Sequence, residues 1–260
     1  MQGRAGAMSK TEYLTFPIQI IEGGLNDIKG CTNNAMFYCL YYQYLREVEY
    51  ESDNPLNEAA DYIGINFGNI NKARNTGKSL YESIPKNAPL TSITRKMIFD
   101  FYNNEKTQFE VVCFLAFAAL KSIIQDQGYK KMTNEYLLSR MSGNSKSKAD
   151  IDPTLKPFTS RYQLDKIKQE LQLNWGLKYY SMKTRGFYVS FTMSLTELAK
   201  IAEKNNKAYK LKRLNELKQQ ARRKAIEELS KVEAPASNVI SMQHDVSNIS
   251  AQTSATYQHL

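Results

Sequence analysis

Histidine is nearly missing from this chain: only His244 and His259 occur in 260 residues. Both fall after Glu233, where Ser, Ala, Asn and Gln dominate and Lys and Arg vanish. A polar stretch of that kind buries too little apolar surface to offset its ordering entropy, so residues 233–260 are expected to be disordered. No histidine is then left for a Ser–His or Cys–His pair in a folded site. The three cysteines, Cys31, Cys39 and Cys113, have no metal-ligand spacing. Each sits in an apolar helical run, where a buried free thiol is expected and a reducing, cytoplasmic setting fits. No HExxH, CxxC or paired-carboxylate motif is present. Nicking by one of the tyrosines is harder to exclude, although such chemistry usually calls for a histidine-rich metal site. Gly77-Lys78-Ser79 ends like a phosphate-binding loop, but Lys72 stands where that loop needs its first glycine and no apolar strand precedes it. Long apolar runs are also missing: Val111–Leu120 is of core-helix length only, and no signal peptide is visible. The expectation is a non-enzyme with no cofactor, no metal, no membrane span and no small-molecule substrate.

What is present is positive charge. Lys and Arg number 35 against 26 Asp and Glu, a net charge of +9, which favours a polyanionic partner. At 42% hydrophobic residues the chain can bury a core. Its length suits one large or two small domains. Met1–Ala7 reads as a tag or over-extended start, with Met8 a plausible second start, so residues 1–10 are set aside.

Residues 11–104 read as a helical first half. Tyr13–Ile21 is an extended arm, demoted to an edge by Pro17. Thr32–Val48 has apolar residues at helical spacing, with Thr32 as cap and tyrosines at 38, 41, 42 and 44, whose rings could stack on nucleobases or pack in a core with their hydroxyls reaching outward. Ala60, Gly64 and Ile70 have helix-turn-helix spacing: a small residue for close approach, a glycine for positive φ, and an apolar plug. The second helix of that pair would expose Asn69, Asn71, Lys72, Arg74 and Asn75, side chains able to contact base edges; an ordinary helical hairpin fits the same residues. Gly68 and Gly77 count against a long rigid helix there. Ile84–Leu90 is a connector. Thr91–Tyr102 reads as a helix, with a domain boundary after Asn104.

Residues 105–195 carry the strongest pattern. Phe109–Ile124 is apolar on most of its circumference, as a buried helix is. Asn134–Met141 is a second helix capped by Thr133. A long loop with Lys146, Lys148, Lys156, Pro153 and Pro157 leads to a third helix, Arg161 to about Leu173. Its apolar face is Leu164, Ile167 and Leu171; its opposite face carries Tyr162, Lys166 and Gln169, with Arg161 at its start. Trp175 plugs the hinge to two strands, Leu177–Met182 and Gly186–Thr192. Alternation of Phe187, Val189 and Phe191 marks the second strand as half-buried, and Lys183 and Arg185 sit at the tip. Three helices followed by a basic hairpin resemble winged helix-turn-helix DNA-binding domains. The chain also resembles plasmid and phage replication initiators, which pair two such domains; the first half then reads as a degenerate copy without a visible wing. The long loop departs from the usual short turn. The resemblance implies a mainly α fold with a small β-hairpin. It implies double-stranded DNA as partner, read by Arg161, Tyr162, Lys166 and Gln169 and gripped by Lys183 and Arg185, in a replication-initiation or transcription-regulation role for a mobile element or its host.

Residues 196–232 form a basic amphipathic helix with an apolar stripe from Leu211 to Leu229. Arg222, Arg223 and Lys224 suit contact with DNA phosphates. The stripe equally suits a homodimer, and a merely solvated helix remains open. The alternative for the whole chain is a non-enzymatic helical protein–protein interaction factor.

Overall fold

The computed structural model describes residues 12–146, 149–181 and 186–255. It is mainly helical with small antiparallel sheets. Residues 1–202 form one unit and 203–260 a second. The first unit runs β1 (Tyr13–Pro17), α1 (Ile28–Glu49), α2 (Pro55–Ile63), α3 (Ile70–Ser83), β2 (Leu90–Thr94) and α4 (Arg95–Asn103). It continues with α5 (Gln108–Ile124), β3 (Lys130–Met132), α6 (Asn134–Met141), α7 (Arg161–Asn174), β4 (Lys178–Ser181) and β5 (Phe187–Ser190). The last helix, α8, spans Leu195–Ala255, and its first turns belong to this unit.

α5 is the centre. Thr107 and Glu110 cap its start reciprocally: the Thr107 hydroxyl accepts from the Glu110 N–H and the Glu110 carboxylate accepts from the Thr107 N–H. That bonding holds the Glu110 carboxyl below its ordinary pKa. From Val111 onward nearly every side chain to Ile124 is buried. Its buried side chains share one continuous core with Leu14, Phe16, Ile93 and Ile98 of the first half and with Ile167, Leu171 and Val189 of the second. The expected boundary near residue 104 is therefore absent, because a helix apolar all round needs cover on every side.

Other local expectations change for local reasons. α1 starts at Ile28, not Thr32: the Asp27 carboxylate accepts from the Gly30 N–H as the cap, while the Thr32 hydroxyl donates to the Ile28 carbonyl inside the helix. Thr91–Thr94 is strand, not helix. This β-branched run pairs with β1 in the register Tyr13↔Thr94 to Pro17↔Leu90, and Thr94 caps α4 instead. Thr91 also donates to the Ala118 carbonyl at 2.9 Å, tying β2 to α5. Tyr38 and Tyr41 are buried as expected, and Tyr42 is exposed. The helix continues past Val232 through the stretch expected to be disordered, as far as Ala255; propagation adds one hydrogen bond per residue once a helix is nucleated, so low apolar content does not itself end it.

Gly77 lies within α3 and does not weaken it. A Cβ there would fall 2.1 Å from the Phe37 carbonyl oxygen and 2.9 Å from the Tyr41 Cβ, so only glycine lets α3 lie this close to α1. The three thiols are buried and unbridged, and burial pushes each up to about 12. Gly77→Ala should destabilise the protein by about 1–3 kcal/mol through overpacking, measured by urea denaturation. An unchanged midpoint would mean the helices can separate without cost.

Candidate nucleic-acid interface

The second half builds a three-stranded antiparallel sheet in the order β3-β5-β4. β3, not foreseen from the sequence, pairs with β5 through Lys130↔Val189 and Met132↔Phe187. β4 pairs with β5 through Lys178↔Ser190 and Ser181↔Phe187. Gly186 begins this close pairing at φ 91°, where an added Cβ would meet the Met132 carbonyl oxygen at 2.6 Å. β5 is buried on both faces, not on one as its alternation suggests. Phe187 and Val189 face the main core, while Tyr188 packs on Leu198 and Ala202 of α8. Ser190 joins the two: its hydroxyl donates to the Gly128 carbonyl and accepts from the Met193 N–H.

The connection from α6 to α7 is long but pinned along its described residues. Ser142 accepts from the Asp152 N–H, Asn144 donates to the Asp150 carbonyl, and Leu155 is buried. Arg140, at the end of α6, donates to the Tyr136 hydroxyl and the Ser145 carbonyl. Gln19 of the first half donates to the Ser145 hydroxyl, so this connection also meets the first half.

α7 starts at a Ser160 cap. Leu164, Ile167 and Leu171 are fully buried, and the opposite face is exposed as expected. Arg161 leans towards Asp165 at 3.7 Å with 92% of its side chain exposed, a pair too open to hold it. The Lys166 ammonium lies 4.9 Å from the centre of the Tyr162 ring, and Gln169 is exposed one turn on. All four side chains thus face solvent and carry donors, with Lys166 set against the Tyr162 ring. Lys183 and Arg185 lie outside the described residues, as does Lys148. Arg222, Arg223 and Lys224 are exposed on α8 in the second unit.

Lys168 was not foreseen from the sequence. Only 3% exposed, it donates to Asp165 at 2.8 Å and to Asn134 at 3.2 Å. Its ammonium also sits 4.6 Å from the Phe187 ring centre and 5.1 Å from that of Tyr179. One cation therefore links α7 to the start of α6 and to both strands of the hairpin. Its spacing is the only clue the sequence offers: Lys168 follows buried Ile167 and lies one turn after Leu164, at the edge of the apolar face. Lys131, on β3, lies 5.6 Å from the Tyr188 ring centre and is exposed beside the sheet.

In the first half the helix-turn-helix spacing forms two successive helices. Gly64 ends α2 at φ 72°, Ala59, Ala60 and Ala73 are buried together, and Ile70 packs on them. Lys72 and Asn75 are exposed on α3, while Arg74 stacks over Tyr44 at 5.7 Å. Among the described residues no group of acidic, histidine or cysteine side chains could hold a metal ion, and no helix is long and apolar enough to cross a membrane.

Comparison with known protein families, curated proteins and solved structures finds no match.

Lys168→Ala should cost about 2–4 kcal/mol, since it leaves a cavity and strips partners from Asp165 and Asn134. Lys168→Met, which keeps the volume, should cost less than about 1.5 kcal/mol. Equal losses in thermal melts would show that charge rather than packing holds α7 to the hairpin.

Proposed function

We propose that this protein binds double-stranded DNA through a winged-helix arrangement in residues 105–195. The supporting observation is the order helix, strand, helix, helix, strand, strand around a β3-β5-β4 sheet, with α7 presenting Arg161, Tyr162, Lys166 and Gln169 away from the core. A helix so placed can enter the major groove, where Arg and Gln make bidentate contacts with base edges and Lys contacts guanine or phosphate. Its first residues point outward, as those of base-reading helices do. The net charge of +9 supplies the sequence-independent attraction. Lys183 and Arg185, in the chain between β4 and β5, would grip the backbone beside the groove. The role we assign is that of a replication initiator or transcription regulator of a mobile element or its host, acting in the cytoplasm and without catalysis.

A second reading is favoured by one observation. Leu211, Leu214, Leu217 and Leu229 on α8 are each about half exposed or more. Such a row suits self-association or docking of another helix, in a protein–protein interaction role.

Salt separates the two. Duplex affinity should fall steeply with salt concentration as bound lysines and arginines displace counterions. If α8 touches phosphates, replacing Arg222, Arg223 and Lys224 together by Ala should lower the slope of log K against log salt by about 2–3. Absence of duplex binding at low salt would refute the DNA reading and favour the protein-partner one.

A further inference from the structure

The first half contains a cleft that the duplex-DNA reading does not use. One part, about 450 Å³, lies between α1, the turn from Gly64 to Asn69, the start of α3 and the end of α4. A second part, about 470 Å³, opens against the start of α4 and is lined by Arg95 and Lys96. Gly64 and Phe99 line both, so the two parts share a wall. Each volume is of the size that holds a small ligand.

The lining of the two parts differs in chemistry. In the first, the half-buried rings of Phe67 and Phe99 offer apolar faces. Among the described residues, no hydrogen bond engages the side chains of Asn33, Asn66 or Asn103, which line the same space. Each carboxamide brings two donors and an acceptor. Aromatic faces beside free carboxamides match a planar ring with polar edges: rings stack on it and amides pair with it, as Asn does with adenine. In the second part Lys96 is exposed and forms no ion pair among the described residues, and Arg95 spends one N–H on the Ile63 carbonyl at 3.2 Å. Glu12 is the acidic residue in this lining. Two cations at one end of an aromatic, amide-lined cleft fit a phosphate attached to that ring.

We propose that this cleft binds a nucleotide, its base in the asparagine-lined part and its phosphate beside Lys96 and Arg95. The chemistry is common to a free mononucleotide and to one unstacked nucleotide of a single strand. The inference does not rest on the duplex-DNA reading, because Arg161, Lys166 and Gln169 of α7 line neither part.

The test is a ligand-observed NMR titration of the full chain with the four nucleoside 5′-monophosphates, the matching nucleosides and a single-stranded tetranucleotide. Asn66→Ala with Asn103→Ala should weaken binding by about tenfold or more, as loss of two hydrogen bonds does. Both side chains are exposed, so thermal melting should stay at the parent value. Lys96→Ala should abolish the preference for monophosphate over nucleoside. Monophosphate binding that the double variant loses assigns the cleft to free nucleotides. Tetranucleotide binding alone, with the same loss, assigns it to a strand. No binding of either probe, or equal binding by parent and double variant, overturns the proposal. Arg161→Ala, which should weaken duplex binding, should leave these titrations unchanged, so the two readings can fail separately.

Discussion

The burial of α5 on all sides is the constraint on which this structure depends. A helix that buries Val111, Val112, Cys113, Phe114 and Leu115 in succession has apolar side chains all round and cannot rest on a surface. It must be enclosed, and this chain encloses it with its own two halves. β2 packs against it, with Thr91 bonded to a carbonyl of the helix itself. α6 and α7 pack on it as well, and Val189 of the β3-β5-β4 sheet shares its core. Phe101 of α4 stacks on Phe114 at 4.5 Å, and Phe117 meets Trp175 at 5.2 Å, so the last residues before α5 and the first after α7 close on the same helix. The halves thus share one core, and the outward surface of α7 is set by it.

This also explains how a polar helix keeps its orientation. α7 buries three apolar side chains on one side and a lysine at the edge of that face. Lys168 bonds to Asp165 on its own helix and to Asn134 on α6, and its ammonium lies against the rings of Tyr179 and Phe187. The remaining side chains of α7 have few internal partners, which leaves Lys166 and Gln169 available to a ligand. The Arg161–Asp165 pair is too exposed to compete strongly with a phosphate or a guanine.

Much of this was legible in the sequence where one signal dominated. The spacing of Leu164, Ile167 and Leu171 gives the buried face of α7, and Ala60, Gly64 and Ile70 give the α2–α3 pair. The all-apolar run after Phe109 gives a buried helix but not what buries it, because core partners such as Phe16 and Val189 are far away in sequence. β2 was hidden because Ile93, Met97 and Ile98 mimic a helical face across the join between strand and helix. β3 was hidden because three residues carry no periodicity. Gly77 looked like a breaker because its purpose lies in the Phe37 carbonyl across the gap. The cleft between α1, α3 and α4 has no sequence signature, since its asparagines come from three separate segments.

The most direct measurement of the central claim is a binding-site selection from random duplex DNA, performed with the parent and with Arg161→Ala and Gln169→Ala. If α7 reads bases, the parent should select a defined sequence. Each variant should lose preference at one or two positions, by about 1–3 kcal/mol per lost base contact, while keeping most of its affinity for unrelated DNA. Variants that select the parent's sequence with the parent's preference would contradict the assignment of α7 as the reading helix.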